Sequence, residues 1–161
     1  MEQVRLNEDL GLSYPDGFQV MSAEELSKLR FSGGAPQWCI SDPERHMILS
    51  ISWKKVNGLV AKLLSAKDIA KDTEAKLSRP MKTYGYRMED FFELELDGKS
   101  TAGFLYRYTV QGIGMSGKTL TVKNGRTIYY IYFYFRTAAR KASLETLDEI
   151  LDSVRWTGAA K

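Results

Sequence analysis

A chain of 161 residues with 43% hydrophobic and 27% charged side chains, 13 glycines and 4 prolines fits one globular domain over 1–161 and excludes a mainly disordered, collagen-like or coiled-coil state. At this length roughly 70% of the unfolded surface is hidden on folding, so no staple is needed; one Cys excludes an internal disulfide, and one His beside it excludes a Cys/His zinc site. Twenty-three basic against 20 acidic residues give a charge of +3, too weak a surplus for the basic stripe of a duplex binder, and no run of 18 apolar residues is present to cross a bilayer.

In chain order, Leu12-Ser-Tyr-Pro-Asp-Gly-Phe18 reads as an extended piece around a Pro-Asp-Gly turn, followed by a short strand over 18–21. Ser22-Ala-Glu-Glu25 is a capping box opening a helix with Leu26, Leu29 and the Arg30 stem on one side, ended by Gly33-Gly34. Strands are expected over 37–41 and 46–53 around the turn Asp42-Pro-Glu-Arg45. Asn57-Gly58 breaks the second, and 59–64 gives one or two loose helical turns. Ser65 caps a longer helix through Ile69, Ala70 and Leu77 that Pro80 stops.

The back half reads as a meander. Strands are expected over 88–96, 101–111, 119–123 and 126–136, with tight turns at Asp97-Gly98 and Asn124-Gly125 and a flexible glycine-rich loop between the middle two. A helix over 142–155 closes the chain, with Leu144, Leu147, Ile150, Leu151 and Val154 on one stripe and Glu145, Asp148, Glu149 and Asp152 opposite. Sequential hairpins imply a mostly antiparallel sheet. Tyr129 to Phe135 is apolar or aromatic on both sides, so helices are expected on both faces: an α/β (α+β) fold built as an α/β/α sandwich.

Gly112-Ile-Gly-Met-Ser-Gly117-Lys118-Thr119 matches the phosphate-loop expression G-x-x-x-x-G-K-[ST]. In that reading the Gly114 to Gly117 amides cradle phosphates, Lys118 reaches the terminal phosphates and Thr119 holds magnesium. The context opposes it. A phosphate loop feeds a helix, whose N-terminus supplies amides and dipole, whereas Thr119-Leu-Thr-Val-Lys alternates with period two and then meets Asn-Gly. The next apolar strand also ends in Arg136-Thr137 instead of an acid for magnesium. The expectation is therefore a loop joining two antiparallel strands.

Other candidates have plain structural readings. His46 has no nucleophile or orienting acid placed beside it by sequence. Cys39, between Trp38 and Ile40, reads as a buried thiol. Ser52-Trp-Lys-Lys55 fits S-x-x-K but lies on a strand, not a helix. Glu93, Glu95 and Asp97 read as the wet face of a strand, and Gly103-Phe-Leu-Tyr-Arg-Tyr108 lacks the basic and small residues of an RNA-recognition motif. No cofactor or metal is expected.

With Asn124-Gly125 as the turn, Leu120, Val122, Tyr129, Ile131, Phe133 and Phe135 share the core side. The other side carries Thr119, Thr121, Arg126, Tyr130, Tyr132 and Tyr134. Tyrosines combine an apolar ring with a polar tip, which suits a partner surface and equally suits the zone beneath a covering helix.

Leu10-Gly-Leu-Ser-Tyr-Pro-Asp-Gly-Phe18, Gly103-Phe-Leu-Tyr-Arg-Tyr108, Gly125-Arg-Thr-Ile-Tyr-Tyr-Ile-Tyr132 and Thr146-Leu-Asp-Glu-Ile-Leu-Asp-Ser-Val-Arg-Trp156 resemble, in order and spacing, the opening strand, paired central strands and closing helix of the PsbP-like (Mog/PsbP) superfamily, and a bacterial member of it. The resemblance implies an α/β/α sandwich and a non-enzymatic adaptor role. That family includes a Ran-binding import factor, an extrinsic photosystem II subunit, and bacterial proteins that are secreted, lipid-anchored or chaperones of secretion effectors.

The expected function is a protein- or peptide-binding accessory module, monomeric or homodimeric, that engages neither nucleic acid nor membrane. The alternatives are a nucleotide-binding enzyme using Gly114, Gly117 and Lys118, and a small-molecule carrier on the Tyr130/Tyr132/Tyr134 face. The N-terminal Met1-Glu-Gln-Val-Arg-Leu6 has no signal-like regions, and the sequence contains no lipid-attachment motif or lipobox. The expected location is the cytoplasm, or outside it if a leader has been removed.

Overall fold

The structure, a computed structural model, describes residues 1–28 and 36–157. Two antiparallel sheets organise them. The N-terminal strands β1 (Glu2–Arg5) and β2 (Leu10–Tyr14) pair with each other, and β2 also pairs with the last strand of the chain. Next come β3 (Gln19–Val20) and a short helix, α1 (Ala23–Ser27). The expected capping box holds: the Glu25 amide donates to Ser22 Oγ at 3.2 Å, and the Ser22 amide donates to the Glu25 carboxylate at 2.9 Å. The expected continuation through Leu29, Arg30 and Gly33-Gly34 falls outside the described residues.

The strands β4 (Trp38–Asp42) and β5 (Met47–Lys55) follow as a hairpin. Asn57 does more than interrupt the strand: its side chain accepts from the Val60 amide at 2.8 Å and caps α2 (Gly58–Leu63). Ser65 caps α3 (Ala66–Met81) with a second capping box. Pro80 does not stop α3 in front of itself. It sits in the last turn, the chain tightens into a 3-10 turn over Lys82–Tyr84, and Gly85 ends it with a left-handed φ of 72°.

Four long strands then run as a meander: β6 (Arg87–Leu96), β7 (Lys99–Val110), β8 (Ile113–Asn124) and β9 (Thr127–Arg136). With β3 to β5 they form a seven-stranded sheet in the order β3-β4-β5-β9-β8-β7-β6. A 3-10 turn (Thr137–Ala139) leads into α4 (Arg140–Asp152) and β10 (Arg155–Trp156).

Two hairpins differ from expectation. The segment read as a flexible glycine-rich loop is strand: only Gln111 and Gly112 turn, with φ of 50° and 80°, and β8 starts at Ile113. Positive φ at both central residues is the signature of a type I′ turn, whose twist matches the strands it joins. Further along, Asn124 pairs with Thr127, so the β8–β9 turn is Gly125-Arg126, not Asn124-Gly125. Moving the turn by one residue moves the register by two. The side-chain faces are therefore unchanged, and the expected core side stands.

The faces are covered unequally. On one, α4 buries Leu147, Ile150 and Leu151, and Val154 just beyond its end joins them, against Leu120, Tyr129, Ile131 and Phe133, with Leu10 and Leu12 of β2 in the same cluster. On the other, α3 lays Ala66 and Ala70 on Ala102, and Leu77 on Phe104 and Tyr106. The alanines let the start of α3 approach the sheet closely. In the small sheet β2 is the extended piece expected before the Pro-Asp-Gly turn, whereas β1 and β10 have no counterpart among the elements expected from sequence. Trp156 ties this sheet to the large one: its indole N–H donates to the Leu96 carbonyl at 2.7 Å and its amide donates to Asp97 at 3.0 Å.

Candidate binding groove

The phosphate-loop residues lie on a strand with no helix behind them. Gly114 pairs with Thr109, and Gly117 lies between Tyr106 and Tyr134. Gly117 has a packing role. A β-carbon there would stand 2.6 Å from Tyr106 Cε1 and nearer still to Cζ and the hydroxyl, because the Tyr106 ring lies flat across the strand at that point. Lys118 projects to the α4 side, its Nζ 4.9 Å from the centre of the Phe92 ring. Burial lowers its pKa, against the opposing charge of Asp148.

The tyrosine-bearing side of β9 is divided by α3. Thr119, Thr121 and Tyr132 are buried, with Thr119 directly opposite Tyr132 and Thr121 opposite Tyr130. The Thr121 hydroxyl lies 3.0 Å from both the Ala66 and Ala102 carbonyls, fastening the first turn of α3 to β7. Arg126 lies in the hairpin turn, where its Nε donates to the Val56 carbonyl at 3.0 Å. Tyr130 is half-buried with Lys54 Nζ 5.7 Å from its ring centre. Tyr134, also half-buried, lines an open surface.

That surface is a groove of about 530 Å³ at the end of the sheet beyond α3. Its floor follows from strand parity. Ile48 pairs with Tyr134, Arg136 with Met115, Met115 with Tyr108, and Val110 with Ile113, so all these side chains share one face. Ile48, Val110 and Ile113 are 36%, 37% and 43% exposed, an unusual concentration of uncovered apolar residues for one spot. Arg136 is half-buried in the wall and has no ion-pair partner among the described residues. His46 stands on the rim with a left-handed φ of 57°. Apart from Arg136, the charged group in the lining is Asp42, a buried carboxylate paired with Arg45.

Sequence reasoning reaches Tyr134 but misses Ile48, Tyr108, Val110, Ile113, Met115 and Arg136. Alternation along β7 would have joined Tyr108 and Val110 to Tyr106. Reading residues 112–118 as loop hides their partners on β8.

The remaining candidates lie elsewhere. Cys39 is fully buried, its thiol pushed up to about 12 by burial and then by Glu25. Glu93 and Glu95 are exposed on β6, with Phe92 and Leu94 on the opposite face. No group of three or more His, Cys, Asp or Glu among the described residues is placed to hold a metal. No helix among them is long and apolar enough to cross a membrane.

No protein-family profile and no curated protein matches the chain. Solved structures do. The cyanobacterial PsbP (CyanoP) of Synechocystis sp. PCC 6803 superposes over 91% of this chain and 86% of its own, with a TM-score of 0.65 at 13% identity. The fold is PsbP-like. LpqN of Mycobacterium tuberculosis, involved in cell envelope biogenesis, shares the PsbP-like frame over 92% of this chain and 83% of its own, with a TM-score of 0.62 at 15% identity. A Bacteroides thetaiotaomicron protein shares it over 94% of this chain and 46% of its own length, with a TM-score of 0.56 at 13% identity. The expected sandwich with a mostly antiparallel sheet is thus the observed one.

Proposed function

We propose that this PsbP-like chain is a non-catalytic accessory module that seats an apolar segment of a protein partner in the groove beyond α3. The observation that carries the reading is the pairing of uncovered Ile48, Val110 and Ile113 with an arginine, Arg136, that has no ion-pair partner among the described residues. The groove is open along one side, which suits a side chain or two of a larger partner better than an enclosed small molecule. Arg136 selects an acidic group next to the apolar residues. The envelope-related description of LpqN supports an accessory role of this kind.

Selection from a displayed random-peptide library tests it. The expected product is a motif of two or more apolar residues beside a carboxylate. Its binding is lost on Ile113→Asp and weakened on Arg136→Ala, with circular dichroism of both variants unchanged. No enrichment, or enrichment indifferent to Ile113→Asp, overturns the proposal.

A further inference from the structure

The seven-stranded sheet ends in two very different edges. At one end β3 is two residues long. At the other β6 is ten residues long, and among the described residues nothing pairs with its outer side. A long open edge is a template for a further strand, and folded proteins ordinarily shorten, cover or charge such edges. Here β6 is interrupted by a bulge between Met88 and Asp90, where Glu89 turns to Arg107 and Arg140 at 2.7 Å and 2.9 Å. Beyond the bulge the strand runs regularly from Phe91 to Leu96.

Which backbone groups point outward follows from the hairpin. Leu96 and Lys99 flank the two-residue turn Asp97-Gly98, whose φ values of 46° and 82° fit type I′. A flanking pair of this kind exchanges both of its hydrogen bonds, and bonded and non-bonded pairs alternate along an antiparallel ladder. Leu94 and Phe92 therefore also bond inward to β7. The amides and carbonyls of Glu95, Glu93 and Phe91 face out.

The side chains define what can add there. On the α4 side the edge offers Phe92 and Leu94, both half-buried. Phe92 is held over Gly103, where a β-carbon would stand 2.7 Å from its Cζ. On the α3 side it offers exposed Phe91, Glu93 and Glu95. Glu93 and Glu95 have no ion-pair partner among the described residues.

A second copy of the strand does not fit. Antiparallel self-pairing centred anywhere from Phe91 to Glu93 sets two acids against each other: Glu89 with Glu93, Asp90 with Glu93, Glu89 with Glu95, Asp90 with Glu95, or Glu93 with its own copy. Like charges directly opposite destabilise a ladder. Registers centred further back fall on the bulge.

We infer that β6 is a strand-addition site for an extended segment of a partner that alternates apolar and basic residues. Its apolar side chains meet Phe92 and Leu94, and its Lys or Arg side chains meet Glu93 and Glu95. Main-chain bonds to Phe91, Glu93 and Glu95 supply register, and the two carboxylates supply selectivity. The site lies at the far edge of β7 from the groove and does not depend on the groove reading.

The probe is a fluorescein-labelled, end-blocked nonapeptide alternating Lys and Val. An alternating Glu and Val peptide and a block Lys/Val peptide of the same composition serve as controls. Expected are saturable anisotropy for the alternating basic peptide alone and slowed amide exchange at Phe91, Glu93 and Glu95. A loss of roughly tenfold or more in affinity is expected in the double variant Glu93→Lys, Glu95→Lys, which stays folded because both side chains are exposed. Glu93→Pro, which removes an outward amide and no bond to β7, weakens binding too. The inference is overturned if the acidic or block peptide binds equally, if charge reversal is without effect, if protection appears elsewhere, or if the chain forms a β6-paired dimer. Loss of groove binding by Ile113→Asp leaves these readouts in place.

Discussion

Gly117 is where the sheet and the phosphate-loop readings part most sharply. Its φ lies outside the left-handed region, so an alanine meets no backbone strain. Without a neighbour, Gly→Ala in a strand would stabilise by about 0.4–1 kcal/mol through the unfolded state. The neighbour is the Tyr106 ring, 2.6 Å at Cε1 from the added carbon and closer at two other atoms. That ring cannot step aside: it is fully buried, with Tyr86, Phe104 and Tyr108 ring centres 5.3, 5.7 and 5.9 Å away. Overpacking of this sort costs about 1–3 kcal/mol, so the clash wins. For a domain of this size Gly117→Ala should lower Tm by roughly 2–8 °C. Tyr106→Ala is itself destabilising, by about 3–5 kcal/mol as for large core aromatics. It also removes the obstacle, so the double variant should be less destabilised than the sum by about 1 kcal/mol or more. Urea unfolding of the four proteins measures the cycle, and calorimetry of wild type with Mg-ATP should show no saturable heat. Gly117→Ala at wild-type stability, strict additivity, or nucleotide binding abolished by Lys118→Ala would each refute the packing account.

Two threonines on the same face of β8 should respond unequally. Thr121→Val removes the hydroxyl that bonds to the Ala66 and Ala102 carbonyls and should cost about 0.5–1.5 kcal/mol in urea unfolding. Thr119→Val removes a buried hydroxyl that faces the Tyr106 hydroxyl without a well-formed bond, and should cost less than Thr121→Val. Cys39, fully buried with its thiol pushed up to about 12 by burial and then by Glu25, should ignore a disulfide reagent such as DTNB at neutral pH until the chain unfolds; fast labelling in native buffer would contradict its placement. Burial alone would raise Glu89, but hydrogen bonds from Arg140 and Arg107 outweigh it and hold the carboxyl below its usual range. Its contribution is therefore full above the unfolded value of about 4.3 and fades as pH falls through the folded one. Glu89→Gln should lower stability near neutrality and flatten the acid limb of a pH series, and an unchanged acid limb would show that the two arginines do not grip it.

The elements legible in the sequence carry their own local signals. Ser22 with Glu25, and Ser65 with Asp68, announce helices because the cap satisfies amides within four residues. Asp97-Gly98 announces its hairpin because both residues accept positive φ. Gln111-Gly112 is the same kind of turn, but the two glycines after it mask the strand it opens. Gly114 and Gly117 are poor strand formers by propensity, and only the Tyr106 ring on the neighbouring strand explains why Gly117 belongs in one. That information is non-local. The strands β1 and β10 are illegible for a related reason: four and two residues are too few for an alternation to register, and each exists through pairing with β2. Asn124 has a buried side chain without a hydrogen-bond partner among the described residues. Its preference for turns is overridden by the ladder bonding of β8 to β9.

The same mismatch between local and tertiary information explains why half of the tyrosine face is interior and half is surface. Twelve-residue strands such as β7 and β8 extend roughly 40 Å at about 3.3 Å per residue, whereas the sixteen residues of α3 reach roughly 24 Å at about 1.5 Å each. The helix starts over Ala102 and Thr121 and its packing ends at Tyr106 and Tyr108. The outer part of the hairpin, with Val110 and Ile113 at its tip, projects past the helix, and no sequence rule for either element alone contains that difference. Lengthening α3 cannot follow it, because Gly85 turns the chain back into β6. Shortening the hairpin can. Deleting Thr109, Val110, Ile113 and Gly114 together removes two cross-strand pairs and keeps the Gln111-Gly112 turn, because Tyr108 and Met115, the next hydrogen-bonded pair, then flank it. It should leave the Leu77, Phe104 and Tyr106 cluster intact, with a Tm change of no more than a few degrees, while abolishing peptide capture in the groove. If capture survives the deletion, the overhang of sheet beyond helix is not what makes the site.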